Sequence, residues 1–163
     1  DSLGSSATLG LRIDDDPLWS GEVGATYQVR EYEDPTLETI SSPGLLVNLQ
    51  WRPTELTRVD LSASMGINET ESASDSGTRS WSAGAKITHA LRDNLDLIGG
   101  PTISASKSSS GIDTTYGLEA GLEWKMNPYI AWTLVYDGSW LDSASSGGDS
   151  DEQRLFASLI LQR

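Results

Sequence analysis

The chain has 163 residues, a formal net charge of −13 and no cysteine, and 37% of its residues are hydrophobic. The acidic balance argues against nucleic acid as a partner, because the phosphate backbone would repel the protein. No apolar run approaches the eighteen residues of a transmembrane helix. A soluble sandwich would be expected to hold a larger aliphatic core, whereas 16 Gly and 6 Trp accompany a single Phe here.

Taken in chain order, the first five predicted elements are strands, because apolar and polar residues alternate with a period of two. Their apolar faces run over Ala7 to Ile13, Trp19 to Val29, Leu45 to Trp51, Val59 to Ile67 and Trp81 to Ile87. The residues between them are mostly Ser, Thr, Gly, Asn, Gln and charged residues.

The last four predicted strands have apolar faces over Leu95 to Ala105, Tyr116 to Met126, Ile130 to Trp140 and Leu155 to Leu161. The sixth is the weakest, since Gly99, Gly100 and Pro101 interrupt it. The seventh is the clearest: its even positions read Tyr, Leu, Ala, Leu, Trp and Met, and its odd positions read Thr, Gly, Glu, Gly, Glu and Lys. No Asp, Glu, Lys or Arg lies within any of the nine apolar faces.

Strands of about ten residues that alternate in this way are typical of membrane-spanning barrels. The pattern therefore predicts an all-β fold, an antiparallel up-and-down transmembrane β-barrel domain over residues 1–163 with about nine strands. A charge on a lipid-facing position costs roughly 2–4 kcal/mol near the midplane, which explains the charge-free faces. We expect replacing Leu122 by Arg to block assembly, and replacing Gly121 by Ser to be mild.

Short and long connections are predicted to alternate. The short ones are Asp14–Pro17, Arg52–Glu55, Arg92–Asn94 and Asn127–Pro128, built of turn-forming Pro, Asn and Asp. The long ones are Glu31–Pro43, Glu69–Gly77, Lys107–Asp113 and Asp142–Glu152, rich in Ser, Gly and acid. In bacterial outer-membrane barrels the short turns are periplasmic and the long loops extracellular. This rule places the carboxyl end in the periplasm.

Nine strands then put the amino end outside, which is abnormal for a single-chain bacterial barrel. We therefore expect the chain to be the carboxyl-terminal portion of a larger barrel. Two alternatives stay open: a false first strand, which leaves eight strands from Trp19 on, and a nine-stranded closure. The residues that follow Asp1 are polar and do not form a signal peptide. If the protein is exported, we expect its signal peptide to have been removed.

Six aromatic residues lie beside the predicted connections. They are predicted to form two membrane-interface girdles, since Trp and Tyr favour the boundary between lipid and headgroups. Beside short turns lie Trp19, Trp51 and Trp124, and beside long loops lie Trp81, Tyr116 and Trp140. A carbohydrate-stacking platform is the competing interpretation.

The inward face mixes charges of both signs. The predicted lumen-lining residues are Arg12, Glu22, Arg30, Arg52, Arg58, Asp60, Lys86, Asp96, Glu119, Glu123 and Asp137. They form either a selectivity lining, as charged rings do in channels, or interior salt bridges in a wet lumen. Eight strands leave an interior just filled by side chains, whereas sixteen or more leave an aqueous channel.

The sequence predicts no enzyme, no cofactor and no metal site. Glu119 and Glu123 share a face but form a weak glycosidase pair. The acidic segment from Asp149 to Glu152 lacks the spacing of a calcium loop, so a solvated surface is favoured there. Neither a nucleophile elbow nor a phosphate loop is present in the sequence.

Three stretches resemble a known family: Trp51 to Leu61, Tyr116 to Pro128 and the closing Arg154 to Arg163. In each of the first two, a strand and a Pro-Thr or Asn-Pro turn follow the pattern of the Putative beta-barrel porin 2 family of Gram-negative outer-membrane proteins. The resemblance covers most of Gln50 to Arg163 and implies a porin-like barrel. Some relatives are thought to supply the outer-membrane conduit for exopolysaccharide. Barrels of this kind commonly have an aromatic residue at the last position, where this sequence has Arg163.

The sequence thus predicts a passive porin or a polymer-export conduit. The alternative is a structural barrel whose acidic loops bind a partner or a surface polymer. The expected partners are outer-membrane lipid and lipopolysaccharide, further barrel strands or subunits, and a polysaccharide, but no nucleic acid. Divalent ions could bridge the acidic loops to lipopolysaccharide phosphates.

Overall fold

The fold was analysed in a computed structural model, which describes residues 2–14, 16–32, 40–68, 78–108, 111–145 and 147–161. It contains nine β-strands: β1 Ser2–Ile13, β2 Trp19–Tyr32, β3 Ile40–Thr54, β4 Thr57–Asn68, β5 Thr78–Arg92, β6 Leu95–Ser108, β7 Gly111–Asn127, β8 Ile130–Asp142 and β9 Ser150–Leu161. Each has 12 to 17 residues, enough to cross a bilayer, which takes about 9–11 tilted residues. The predicted number of strands is confirmed.

All nine strands belong to one sheet in the order β1 to β9, and each neighbouring pair is antiparallel. The described residues form no helix, and none therefore offers a helical membrane span. The sheet is open: within the described residues, β1 pairs only with β2 and β9 only with β8. The all-β, antiparallel part of the predicted fold is confirmed.

Several connections are shorter than predicted. Lys107 and Asp113 were expected in a long loop, but β6 continues to Ser108 and β7 begins at Gly111, with Ser108 opposite Gly111. The predicted connection from Glu31 to Pro43 likewise narrows to 33–39, which lies outside the described residues. The physical reason is that Ser, Gly and Thr can continue a hydrogen-bonded ladder beyond the apolar band, where alternation in hydropathy no longer marks it.

β6 is continuous through the stretch that was expected to interrupt it. Gly100 lies opposite Glu119 and Pro101 opposite Leu118, so the pairing with β7 is unbroken there. On the other side of β6, Gly84 is opposite Thr102 and Ile87 is opposite Gly99 in the same register, although Ala85 and Lys86 form no ladder pair between them. Proline has no N–H to donate, which accounts for a local gap in one ladder.

The sheet is a single layer without a packed core. Among the described residues, the buried apolar side chains are only Ala105 and Ala131, and no large side chain is fully buried. Leu9 and Leu155, in the two edge strands, are 82% and 70% exposed. A soluble sandwich would bury such residues between two sheets. In this sheet the leucine side chains can be removed from water only by contact with an apolar solvent or with another layer.

The two faces of the sheet differ sharply. We call the face with Tyr116, Leu118, Leu122 and Trp124 the apolar face, and the opposite one the polar face. Across β7 the register brings Leu122 opposite Leu97 and Leu134, so apolar residues from neighbouring strands form continuous rows. On the apolar face of β5 and β6, Arg79 and Lys107 lie opposite each other beyond Trp81, at the strand ends.

Rows of paired residues run obliquely across the sheet. Trp51 lies close to the short turn after β3, and the residues successively opposite it are Val59, Ile87, Gly99, Ala120 and Tyr136. Since Tyr136 is in the middle of β8, the row has moved away from the short turns. Each strand is thus shifted along its own direction by about one residue relative to the strand before it, always the same way. Such a shift corresponds to a strand tilt of roughly 35° from the barrel axis, as in closed barrels.

The expectation that Gly121→Ser is mild is wrong. A Cβ atom on Gly121 would lie 2.8 Å from the backbone oxygen of Leu134 and 3.0 Å from Cγ2 of Val135. The neighbouring strand β8 therefore fills the space that a serine side chain would need. A polar-face position with room is required as the comparison for an apolar-face substitution.

Candidate functional site on the polar face

Most of the residues predicted to line a lumen lie on the polar face, in strands β1 to β8. Arg12 is opposite Glu22, Asp60 opposite Lys86, Asp96 opposite Glu123, and Glu119 opposite Asp137. Arg52 and Arg58 line one depression at the short-turn end, together with Thr88 and Asp96. The backbone of Arg30 lies in β2, but its side chain is outside the described part.

Hydrogen bonds and ion pairs hold the polar face at β3 and β4. The carboxylate of Asp60 accepts one hydrogen bond from Nε2 of Gln50 at 2.8 Å and another from Nε of Arg58 at 3.0 Å. Nε of Arg12 donates to Asp14 at 2.7 Å, nearer the turn into β2. These side chains are more than a third exposed, so water and salt screen each pair and its contribution to stability is small.

A second group of ion pairs lies on β5, β6 and β7. Nζ of Lys86 is 3.5 Å from Oε1 of Glu119, although β6 runs between their strands. Nζ of Lys125 is 2.8 Å from Asp96 and 3.8 Å from Glu123. Each of the two glutamates thus lies beside a lysine, which favours the interpretation as a charged lining over an acid–base pair.

Two cations of the polar face were not among the predicted site residues. Lys125 continues the odd positions of β7, and its place after Glu119 and Glu123 in that alternation was the available signal. Arg154 lies opposite Asp137 and also pairs with Glu152, two residues before it in β9. The contact of Lys125 with Asp96 and the place of Arg154 opposite Asp137 depend on register between strands, which the alternation of one strand does not contain.

Nearer the long connections, the polar face carries small hydroxyl side chains instead of charges. The hydroxyl groups of Ser64 and Ser82 are 2.8 Å apart across β4 and β5. Ser82 lies opposite Ser104, which lies opposite Thr115, so the row continues to β7. Such a surface is readily hydrated. Among the described residues, no group of three or more His, Cys, Asp or Glu side chains is placed to hold a metal ion.

The predicted girdle residues lie at the two ends of the apolar face. Near the short turns, the rings of Trp19 and Trp51 stack with centroids 5.6 Å apart and planes inclined by 15°. Trp124 lies opposite Trp132, a fourth tryptophan near the short turns that the prediction omitted. Near the other end, Tyr116 lies opposite Trp140. Trp81 lies opposite Met65 and Ala105.

The stacked pair makes a testable contribution to stability. We expect Trp51→Ala to lower the free energy of unfolding by about 1 kcal/mol more than Met126→Ala does, since aromatic pairs add about 0.5–1.5 kcal/mol beyond area burial. Met126 is a suitable control because it is also an exposed apolar residue near a short turn. Urea titration of protein folded in lipid vesicles measures both values. Equal losses would contradict a special role for the pair.

An antiparallel meander with one apolar face, one polar face and interfacial aromatics is the pattern of β-barrel porins of the bacterial outer membrane. The chain belongs to a family of this class: residues 1–163 match the family model described as Putative beta-barrel porin 2. The predicted membership is therefore confirmed. No curated protein and no solved structure matches the chain.

Proposed function

We propose that the nine strands form part of the wall of an outer-membrane channel that lets solutes pass without a catalytic step. The observation that carries the proposal is the separation of the two faces in a sheet that has no second layer. Exposed Leu, Trp and Tyr side chains cover one face, and ion pairs and hydroxyl groups cover the other. Lipid would contact the first and water the second.

The open edges support a larger, closed wall. Within the described residues, β1 and β9 each lack a second partner strand, and in a bilayer each unpaired backbone group would cost several kcal/mol. Because neighbouring strands alternate in direction, β1 and β9 run the same way, and pairing them directly would form a parallel ladder. An antiparallel wall therefore needs an odd number of further strands between them. The oblique rows favour such a closure.

The proposed orientation follows from the connections. The turns at Glu55–Leu56, Asp93–Asn94 and Pro128–Tyr129 lie at one end of the sheet, together with Asp14 and residues 16–18. Short turns of bacterial barrels are periplasmic. With this assignment we propose that the carboxyl end of β9 lies in the periplasm and that the opposite ends of the strands, such as Tyr32 of β2 and Asn68 of β4, lie outside. The connection between β6 and β7 is short although it lies on the outer rim.

Conductance tests the proposal directly. The purified closed barrel that contains these nine strands is expected to give stepwise ion currents in a planar bilayer, and vesicles that contain it are expected to swell in small sugars. Detergent alone and heat-unfolded protein are the controls. A folded protein that gives neither current nor swelling would refute the channel.

The same vesicle assay separates two forms of the channel. A passive porin admits small sugars and excludes polymers, whereas a polysaccharide-export conduit, which the family resemblance implies, also admits oligosaccharide chains. The polar face has hydroxyl groups and charges that bind water, so either solute could pass along it in hydrated form. We propose the passive porin as the simpler form.

A structural barrel is the second candidate, and one observation favours it. None of the eight segments between the strands contains Lys or Arg, whereas six of them contain Asp or Glu. Such rims would suit divalent ions that bridge them to lipopolysaccharide phosphates, since Ca²⁺ and Mg²⁺ prefer oxygen ligands. This candidate accounts for a folded barrel without current.

A further inference from the structure

Charged and long polar side chains cross the polar face in one row at mid-strand. The register connects Gln50 to Asp60, Asp60 to Lys86, Glu119 to Asp137 and Asp137 to Arg154. Between Lys86 and Glu119 lies Gly100, which is opposite Glu119 on β7. We call this set the charged row: Gln50, Asp60, Lys86, Gly100, Glu119, Asp137 and Arg154. A depression of about 400 Å³ follows it from β2 to β7.

Apart from Arg58, the rows beside the charged row carry shorter or uncharged side chains. On the side of the long connections the next row contains Asn48, Ser62, Gly84, Thr102, Gly117 and Ser139. On the side of the short turns it contains Arg58, Thr88, Ile98, Gly121 and Val135. Lysine, glutamate and glutamine reach further from the backbone than serine or glycine. On β5 and β7 the side chains of the charged row therefore extend furthest from this part of the wall.

Gly100 allows the contact between Lys86 and Glu119. A Cβ atom on Gly100 would lie 1.7 Å from the backbone oxygen of Ala85, so only glycine fits between β5 and β7 there. With no side chain in between, Lys86 and Glu119 approach to 3.5 Å across β6. Their side chains remain 55% and 39% exposed, so the pair is in contact with water and can act on passing ions.

The charges of the row nearly cancel. Asp60, Glu119 and Asp137 supply three carboxylates, and Lys86 and Arg154 supply two cations. Asp60 also has Arg58 at 3.0 Å from the adjacent row. Lys86 is the only cation of the row between β3 and β8, within the described residues. Its loss would leave the row with three carboxylates and one cation of its own, Arg154 at the edge, besides Arg58 in the adjacent row.

We infer that the charged row is the part of the channel that discriminates between ions, and that Lys86 limits its preference for cations. The inference rests on the proposed channel function and assigns it a specificity. Rings of like charge in a pore raise the local concentration of the opposite ion. With Lys86 in place, the negative charge of Glu119 is balanced by the lysine, and the native channel is only weakly cation-selective. Without Lys86 the row becomes an acidic ring.

The test is the reversal potential in a potassium chloride gradient across a planar bilayer. Lys86→Met is expected to raise the ratio of K⁺ to Cl⁻ permeability at least about fivefold, since one unit charge at about 4 Å in water changes the local concentration of each ion about fivefold, in opposite directions. Glu119→Gln removes the other end of the pair and is expected to shift the ratio towards Cl⁻. Both shifts should shrink in 1 M salt, where the screening length falls to about 3 Å.

Lys125→Met is the matched control. It removes the same charge from the same face, and Lys125 also lies beside two carboxylates, but at the short-turn end outside the charged row. A shift for Lys86→Met well above that for Lys125→Met supports the inference. Equal shifts for Lys86→Met and Lys125→Met would overturn the inference about the charged row, and so would shifts in the same direction for Lys86→Met and Glu119→Gln. Neither result would contradict the channel itself. A folded wild-type protein without current removes the channel and this inference together.

Discussion

Leu122→Arg is expected to prevent the protein from folding into a membrane. Leu122 lies in the interior of β7 on the apolar face, opposite Leu97 on one side and Leu134 on the other. Placing a guanidinium there costs roughly 2–4 kcal/mol if the site lies near the bilayer midplane. Because whole proteins are stable by only about 5–15 kcal/mol, this is a large part of the total. The folded fraction in lipid vesicles, measured by heat-modifiable gel mobility, should fall sharply.

Thr133→Arg is the control for this substitution. Thr133 is in β8, next in sequence to Leu134, but it lies on the polar face opposite Glu123. The new arginine would reach water and a carboxylate, so we expect folding close to that of the wild type. Equal damage from the two arginines would contradict the assignment of one face to lipid and the other to water.

Gly100→Ala is expected to have the second large effect. The added methyl group would lie 1.7 Å from the backbone oxygen of Ala85, and a backbone atom can yield only if β5 and β6 separate locally. Overpacking costs typically about 1–3 kcal/mol, and we expect a value at the upper end, about 3 kcal/mol. The loss should appear as a lower urea midpoint for unfolding from vesicles.

Gly66→Ala provides the comparison for Gly100→Ala. Gly66 also lies in a strand, β4, but a Cβ atom there would meet no atom within 4 Å. We expect its stability to stay within about 0.5 kcal/mol of the wild type. If both alanines were tolerated equally, the close approach of β5 to β6 at Gly100 would be wrong, and with it the path by which Lys86 reaches Glu119.

The strands were predictable because their signal is local. Alternation from Tyr116 to Met126 marks the two faces of β7 without knowledge of any other strand. The ends of strands were less predictable. Lys107 and Asp113 fall in β6 and β7, although their neighbourhood of Ser, Gly and Asp suggested a loop. Backbone hydrogen bonds continue the strand pairing beyond the residues whose side chains alternate between apolar and polar.

The candidate site was predictable only as a set of residue types on one face. Which cation meets which carboxylate depends on register between strands, and Lys86 and Glu119 are separated by the whole of β6. Lys125 could have been included from the alternation of β7, whereas the place of Arg154 opposite Asp137 depends on the register of β8 and β9. Gly100 looked like an interruption of β6, since a glycine beside a proline usually ends a strand. Its role as a gap between two charged side chains appears only when β5, β6 and β7 are placed together.

The sequence by itself determined the number of strands and the character of each face. It could do so because successive side chains of an extended chain point to opposite sides, whatever lies beside it. Only the tertiary structure decided the register, the oblique stagger and the single open layer, and so the charged row itself. These depend on hydrogen bonds and contacts between residues far apart in the sequence. For the same reason Gly121, an ordinary polar-face position by alternation, proved to have no room for a side chain.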